Sequence, residues 1–355
     1  MQLGRPAGTA PFALSVLAGG GTGVGKTAGQ GLADTVALAR AADRRGFQRF
    51  WMSEHHAMAA LSASSPPLMI ARLIAETARI RLGAGGVMLP NHAPLLIAEQ
   101  FGMLEAMAPG RIDLGLGRAP GTDGATAAAL RRGVDANDSF PQQLLELLSF
   151  LDDEFPPGHP YRNVHAVPGP WQAAENRVPE TSTGPDIWML GSSPYSARLA
   201  ARLGRPYAFA LQFGDADVDT ALRLYRQEFR PSEALAEPRT LLSVPAAISE
   251  DPAEAERQAR TSAMAMLRMF QREGYLLLPP DEVEAYSATT QQQQILDAYT
   301  NRSFHGTPTA VADRLESLYE RTRVDELMLV VGGHSSALDE HGIGLMADHY
   351  DLPLA

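Results

Sequence analysis

Short β-type apolar runs alternate along this chain with longer stretches in which apolar residues return every three or four positions. The short runs have the length of buried strands, and the longer ones have the helical period. Strands are predicted at 12–17, 49–54, 81–89, 111–117, 186–191, 207–213, 241–248 and 326–332. Helices are predicted at 34–45, 66–78, 94–107, 141–152, 195–203, 217–229, 252–273 and 308–322, with a polar helix after the last strand. Strict alternation requires parallel strands joined by helical crossovers, which are almost always right-handed. Eight such units in 355 residues favour a closed (β/α)8 TIM barrel over an open doubly wound sheet.

Two stretches break the rhythm. Residues 154–185 are rich in proline and polar residues and read as an irregular insertion before strand five. Residues 274–305, with LLLPP and a run of four glutamines, read as an excursion between strands seven and eight. Loops of that length are usually functional, so 274–305 is the candidate mobile lid. No internal repeat or composition shift marks a second domain, and residues 1–355 are expected to form one.

Composition narrows the partners. The chain contains no cysteine, which excludes disulfides, thiolate metal sites and a cysteine nucleophile. A net charge of -11, with arginines scattered among acids, argues against nucleic acid and anionic membranes and for a small-molecule partner. With no apolar run long enough to span a bilayer and no leader-like start, a cytoplasmic protein is expected.

Residues 20–27, GGTGVGKT, fit the phosphate-loop pattern G-x-x-x-x-G-K-[ST], and Lys26 is the only lysine among 30 basic residues. In such a loop a helix starts directly behind the Lys-Thr. Here Gly29 and Gly31 would weaken its first turn, so the helix is expected near Leu32 to Asp34. No strand-end acid is placed to hold Mg²⁺, and a barrel does not house this motif. The loop reads as a glycine-rich connection.

In barrels of this kind the chemistry gathers at the C-terminal ends of the strands. Strand two ends in Ser53-Glu54-His55-His56. Adjacent histidines on extended backbone point opposite ways, so one faces the barrel mouth and a two-histidine metal site is disfavoured. Strand three carries Gly83, Gly85 and Gly86, which suit either a bulge or the close approach of a flat ligand. Strand four delivers Arg118, and strand five runs into Gly191-Ser192-Ser193-Pro194-Tyr195-Ser196 and a helix. Ser193 suits the N-cap and Pro194 the first helical position, making a seat for an anion beside Arg118.

The blocks FWMSEHH, RLGAGGVMLPNHAPLLIAEQF, LEAMAPGRIDLGLGRAPGTD, LGSSPYSARLAARLGRPYAFA and GTPTAVADRLESL, in that order, resemble the bacterial-luciferase-like family of flavin-dependent oxidoreductases, in its single-chain monooxygenase-type branch. The resemblance runs from about residue 12 to the C-terminal helix. It implies a barrel that binds reduced FMN or, in one branch, F420, and that often forms a homodimer. It also implies that His55 serves as a hydrogen-bonding acid/base in flavin–oxygen chemistry and that Gly85-Gly86 forms a cis peptide against the flavin ring. Arg118, Ser193 and Ser196 match the positions that hold the FMN phosphate, with Ser192 and Tyr195 as neighbours.

The expected activity is a monooxygenase that uses O2 and reduced FMN from a separate flavin reductase to oxidise a small organic substrate. F420-dependent hydride transfer and non-catalytic flavin binding are the alternatives. Two departures from the family bear on the substrate and the flavin. Ala18-Gly19-Gly20 stands where relatives have an Asp-Gln-Ser-like segment, and the reactive-thiol position of luciferases falls near Leu116 or Gly117.

Overall fold

The computed structural model describes residues 8–133, 137–179, 184–214 and 217–354. Nine parallel strands follow in chain order: β1 (Ala13–Ala18), β2 (Arg49–Met52), β3 (Arg81–Met88), β4 (Ile112–Gly117), β5 (Asp186–Gly191), β6 (Tyr207–Ala210), β7 (Thr240–Ile248), β8 (Phe304–Gly306) and β9 (Glu326–Val330). Strands β1 to β7 pair in sequence, β7 pairs with β9, and β9 returns to β1. The ring is therefore a closed (β/α)8 barrel whose eighth strand is β9. Strand β8 lies outside the ring and extends β7 from Ala246 to Ile248.

The chain differs from the periodicity in three places. Residues 274–305 are largely helical, with α10 (Pro280–Glu284) and α11 (Thr290–Arg302) leading into β8. The glutamine run belongs to α11, which Thr289 and Gln292 open with a capping box. Next, helix α1 spans Ala28–Arg44 and begins directly behind Lys26-Thr27 instead of near Leu32. Thr27 and Gln30 cap it reciprocally, and Gly31 lets it pass Thr22, whose Oγ1 would lie 2.1 Å from a Cβ there. Packing thus outweighs the weak propensity of the glycines. Finally, a short helix α4 (Gly124–Ala129) precedes the predicted one before strand five, now α5 (Phe140–Asp152). The insertion at 154–185 contains only the short helix α6 (Pro170–Glu175) among its described residues, and 180–183 lie outside them.

Inward-facing residues fill the barrel in layers. The lowest is ionic: Arg49, fully buried, donates to Glu326 at 2.7 Å and to Asp113 at 2.8 Å. Arg81 joins Asp113 to Asp186, both at 2.7 Å, and Arg239 reaches Glu326 at 3.4 Å. Burial alone would lower the Arg49 guanidinium, but Asp113 and Glu326 more than offset this and hold it raised. Above it lies an apolar belt of Leu17, Trp51, Trp188, Ala208, Leu241 and Met328. Trp51 ties the two layers by donating its indole N–H to Asp113 at 2.9 Å. This packed floor closes the barrel and leaves its upper end open to the site.

Candidate active site

Two adjoining cavities occupy the C-terminal mouth of the barrel. The first, about 440 Å³, is lined by Gly85, Gly86, Arg118, Ser192, Ser193, Tyr195 and Ser196 over a floor of Leu17 and Trp51. The second, about 310 Å³, holds His55 and shares Leu17, Gly85, Met88, Gln212 and Phe213 with the first. Every site residue read from the sequence therefore lies on this one surface, with Arg118 and the Ser192–Ser196 turn at one end and His55 at the other.

The seat is the N-terminus of α7 (Pro194–Arg202). Ser193 takes the extended N-cap conformation, but its side chain makes no capping hydrogen bond. The first amides of a helix have no intrahelical acceptor, so those of α7 remain for a ligand. Ser196 donates its hydroxyl to the Ser193 carbonyl at 2.9 Å and lies 3.2 Å from the Tyr207 hydroxyl. Arg118 places its guanidinium 4.4 Å from the centroid of the Tyr195 ring. It has no ion pair or side-chain hydrogen bond among the described residues. An aromatic-stacked guanidinium with free donors beside a helix N-terminus is suited to a phosphate.

The middle of the surface is backbone. The Gly85-Gly86 peptide is cis, at the point where the pairing of β3 with β4 shifts register. A Cβ at Gly85 would fall 2.7 Å from the Trp51 ring, and one at Gly86 would fall 2.7 Å from the Gly115 carbonyl oxygen. The bulge and the close approach are thus both present, and the flat neighbour that requires Gly85 is the protein's own Trp51.

The two histidines after β2 diverge as extended backbone requires. His56 turns to Glu54 at 2.9 Å, while His55 faces the second cavity. Glu54 is buried, and also accepts from His92 at 2.9 Å, Asn91 at 3.1 Å and the Met88 amide at 3.0 Å. Burial alone would raise its carboxyl, but the bonds from His92, His56 and Met88 hold it below the usual range. Burial lowers the His55 imidazole, an effect only partly offset by its bond to the Gly121 carbonyl and by Glu54. Since a carbonyl can only accept, His55 Nδ1–H donates to Gly121 at 3.3 Å. Neutral His55 therefore offers an unprotonated Nε2 as a proton acceptor.

Sequence reasoning missed several lining groups. Gln212 lies between the cavities with its Oε1 accepting from the Ser243 hydroxyl at 2.7 Å. Tyr275, Tyr299 and Arg302 come from the 274–305 segment and line the second cavity. Asp339, on the last helix α13 (Ser336–His349), accepts from the Gly333 amide at 3.0 Å. Burial pushes its carboxyl up to about 7 against the pull of that amide and of Lys26. Its place in the first turn of the helix that follows the final strand was the available signal. Lys26 itself pairs with Asp34 at 2.7 Å and lines neither cavity. Among the described residues no group of three or more His, Asp or Glu could hold a metal ion, and no helix is long and apolar enough to cross a membrane.

Known proteins similar to this chain share its fold. Residues 12–326 match the family model described as luciferase-like monooxygenase. A luciferase-like monooxygenase of Escherichia coli (strain K12) is 38% identical over 307 residues, covering 86% of this chain and 87% of that protein. The N-acetyl-S-alkylcysteine monooxygenase of Bacillus subtilis (strain 168) is 33% identical over 322 residues, covering 89% and 91%. The crystal structure of apo-MsnO8 superposes with a TM-score of 0.84 at 34% identity, covering 97% of this chain and 99% of that one. The chain belongs to the luciferase-like monooxygenase family.

Proposed function

We propose that the protein uses reduced FMN and O2 to oxidise a small organic substrate, the reduced flavin coming from a separate reductase. The observation that carries this reading is a single continuous surface with an anion seat at one end, a glycine-backbone wall in the middle and a neutral histidine at the other. Reduced FMN, when bound, supplies the electrons that activate O2. Arg118, Ser193, Ser196 and the free α7 amides would hold its phosphate, with Ser192 and Tyr195 beside them. Gly85 and Gly86 line the same cavity over Leu17 and Trp51, where a planar ring would lie against their backbone.

His55, with Nδ1–H fixed on Gly121, takes or returns a proton at Nε2. The 274–305 segment acts as the lid. The Tyr275 carbonyl accepts from the Ala60 amide at 3.1 Å and the Leu277 carbonyl from the Val24 amide at 2.9 Å, so the segment roofs the second cavity and excludes water. The name of the Bacillus subtilis relative, N-acetyl-S-alkylcysteine monooxygenase, supports oxidation of a small organic molecule here. A homodimer fits the exposed row Leu96, Met103 and Met107 on α3 (Pro94–Met107), with Leu68 on α2 (Pro66–Ile74). Sedimentation of the purified protein should show twice the mass of one chain.

The deciding experiment is anaerobic titration with reduced FMN and, in parallel, reduced F420, followed by admission of air with and without organic substrates. Binding of reduced FMN with substrate-dependent product formation is expected. Preference for F420 without oxygen uptake would replace the reading by hydride transfer, and binding without any turnover would leave a flavin-binding protein.

A further inference from the structure

The second cavity carries more information than its place beside the flavin seat requires. Its wall is largely apolar, with Met58, Leu61, Ala263, Met266, Met269 and Val330. Among the described residues of its lining, Arg302 is the one guanidinium and Asp339 the one carboxylate. Arg302 stands at the end of α11 with its guanidinium 4.7 Å from the centroid of the Tyr299 ring. Among the described residues no carboxylate lies within ion-pair distance of it and no hydrogen bond engages it.

Its neighbours on α9 (Pro252–Phe270) differ. Arg257 holds Glu284 at 2.7 Å, Arg260 holds Asp297 at 3.4 Å and Arg268 holds Glu273 at 3.1 Å. A cation in the last turn of α11 also complements the helix dipole. That role asks nothing of a cavity-facing, ring-stacked orientation. Stacking on an aromatic ring pre-organises a guanidinium for bidentate recognition of a carboxylate.

We propose that the second cavity binds an apolar organic acid, its carboxylate on Arg302 and its carbon chain along the methionine-rich wall toward Gly85 and His55. This names a substrate class and rests on the proposed function only for what happens to the acid after it binds. Asp339 is turned to the Gly333 amide and is partly protonated near neutrality, so it opposes an anion at Arg302 weakly. Because Arg302 and Tyr299 belong to the lid segment, the same contact would hold the lid against the barrel.

The test is calorimetric titration of the full-length protein, without flavin, using octanoate, 1-octanol and octylamine as probes. Octanoate should bind about tenfold or more tightly than 1-octanol, the difference expected of charge-assisted hydrogen bonds. Arg302→Gln should remove that preference while leaving 1-octanol binding unchanged, which shows that the cavity remains folded, and Arg302→Lys should restore part of it. Equal binding of octanoate and 1-octanol, no binding of any probe, or an octanoate preference that survives Arg302→Gln would overturn the proposal. So would tightest binding of octylamine, lost in Asp339→Asn. Reduced FMN affinity, measured separately, should not change in Arg302→Gln. Failure of the parent protein to bind FMN would defeat the functional reading and leave the octanoate result to stand or fall alone.

Discussion

At the scale of single residues, the site sets groups with no ion pair or capping bond among the described residues beside groups that are over-supplied. Arg118 and the α7 amides have donors to spare, whereas Glu54 is saturated by His56, His92, Asn91 and Met88. The former are placed to meet a ligand and the latter fixes the loop that carries His55. Arg118→Ala should weaken binding of FMN by about 10- to 100-fold, from the loss of charge-assisted hydrogen bonds worth about 1.5–3 kcal/mol, measurable by fluorescence titration. For His55 the sign of the pH effect follows from its lowered pKa. Protonation costs more in the folded than in the unfolded state. The folded protein therefore loses stability from this group as the pH falls below the ordinary histidine value of about 6.5, and nothing above it. His55→Gln should flatten that acid-side loss in urea midpoints taken between about pH 5 and 7, and should lower substrate turnover at all of them.

Helices α1 and α7 begin with similar sequence signals and use them differently. Thr27 forms a full capping box with Gln30, whereas Ser193 occupies the N-cap without a side-chain bond. Thr27→Ala should accordingly cost about 1 kcal/mol of stability, read from the urea midpoint, with FMN affinity unchanged. Ser193→Ala should leave stability within about 0.5 kcal/mol and weaken FMN binding. The reverse pattern would show that the α7 seat is a structural cap. Strand and helix order was legible at this scale because apolar periodicity reports which faces are buried. The start of α1 and the small strand β8 were not, since Gly31 against Thr22 and Ala246 against Phe304 are contacts between distant segments.

For the molecule as a whole, the ionic layer under the site is the feature that only closure of the barrel creates. Arg49, Arg81, Asp113, Asp186 and Glu326 come from five different strands, and Arg239 from the entry to a sixth. (Arg239 stands one residue before β7.) Buried pairs contribute little net stability, but removing one partner strands the other in a low-dielectric interior. Arg49→Met leaves Asp113 and Glu326 short of a cation and should destabilise by about 3–5 kcal/mol, seen as a lowered urea midpoint. Joint replacement with Asp113→Asn, which leaves Arg81 paired with Asp186 and Arg239 with Glu326, should recover part of that loss.

The amino-acid sequence by itself determined the order of strands and helices, the closed barrel, and the positions of His55, Gly85-Gly86, Arg118 and the Ser193–Ser196 turn. These are local signals: side-chain periodicity, glycine in a strand, and residues that follow strand ends. Only the tertiary structure decided that His56 is turned to Glu54, that Ser193 leaves the α7 amides free, and that Lys26 is bound to Asp34 away from both cavities. It alone also brought Gln212, Tyr275, Arg302 and Asp339 to one surface. Which side chains meet there depends on how far each strand is staggered around the ring and where the 274–305 helices come to rest, and both are set by packing between residues remote in the chain.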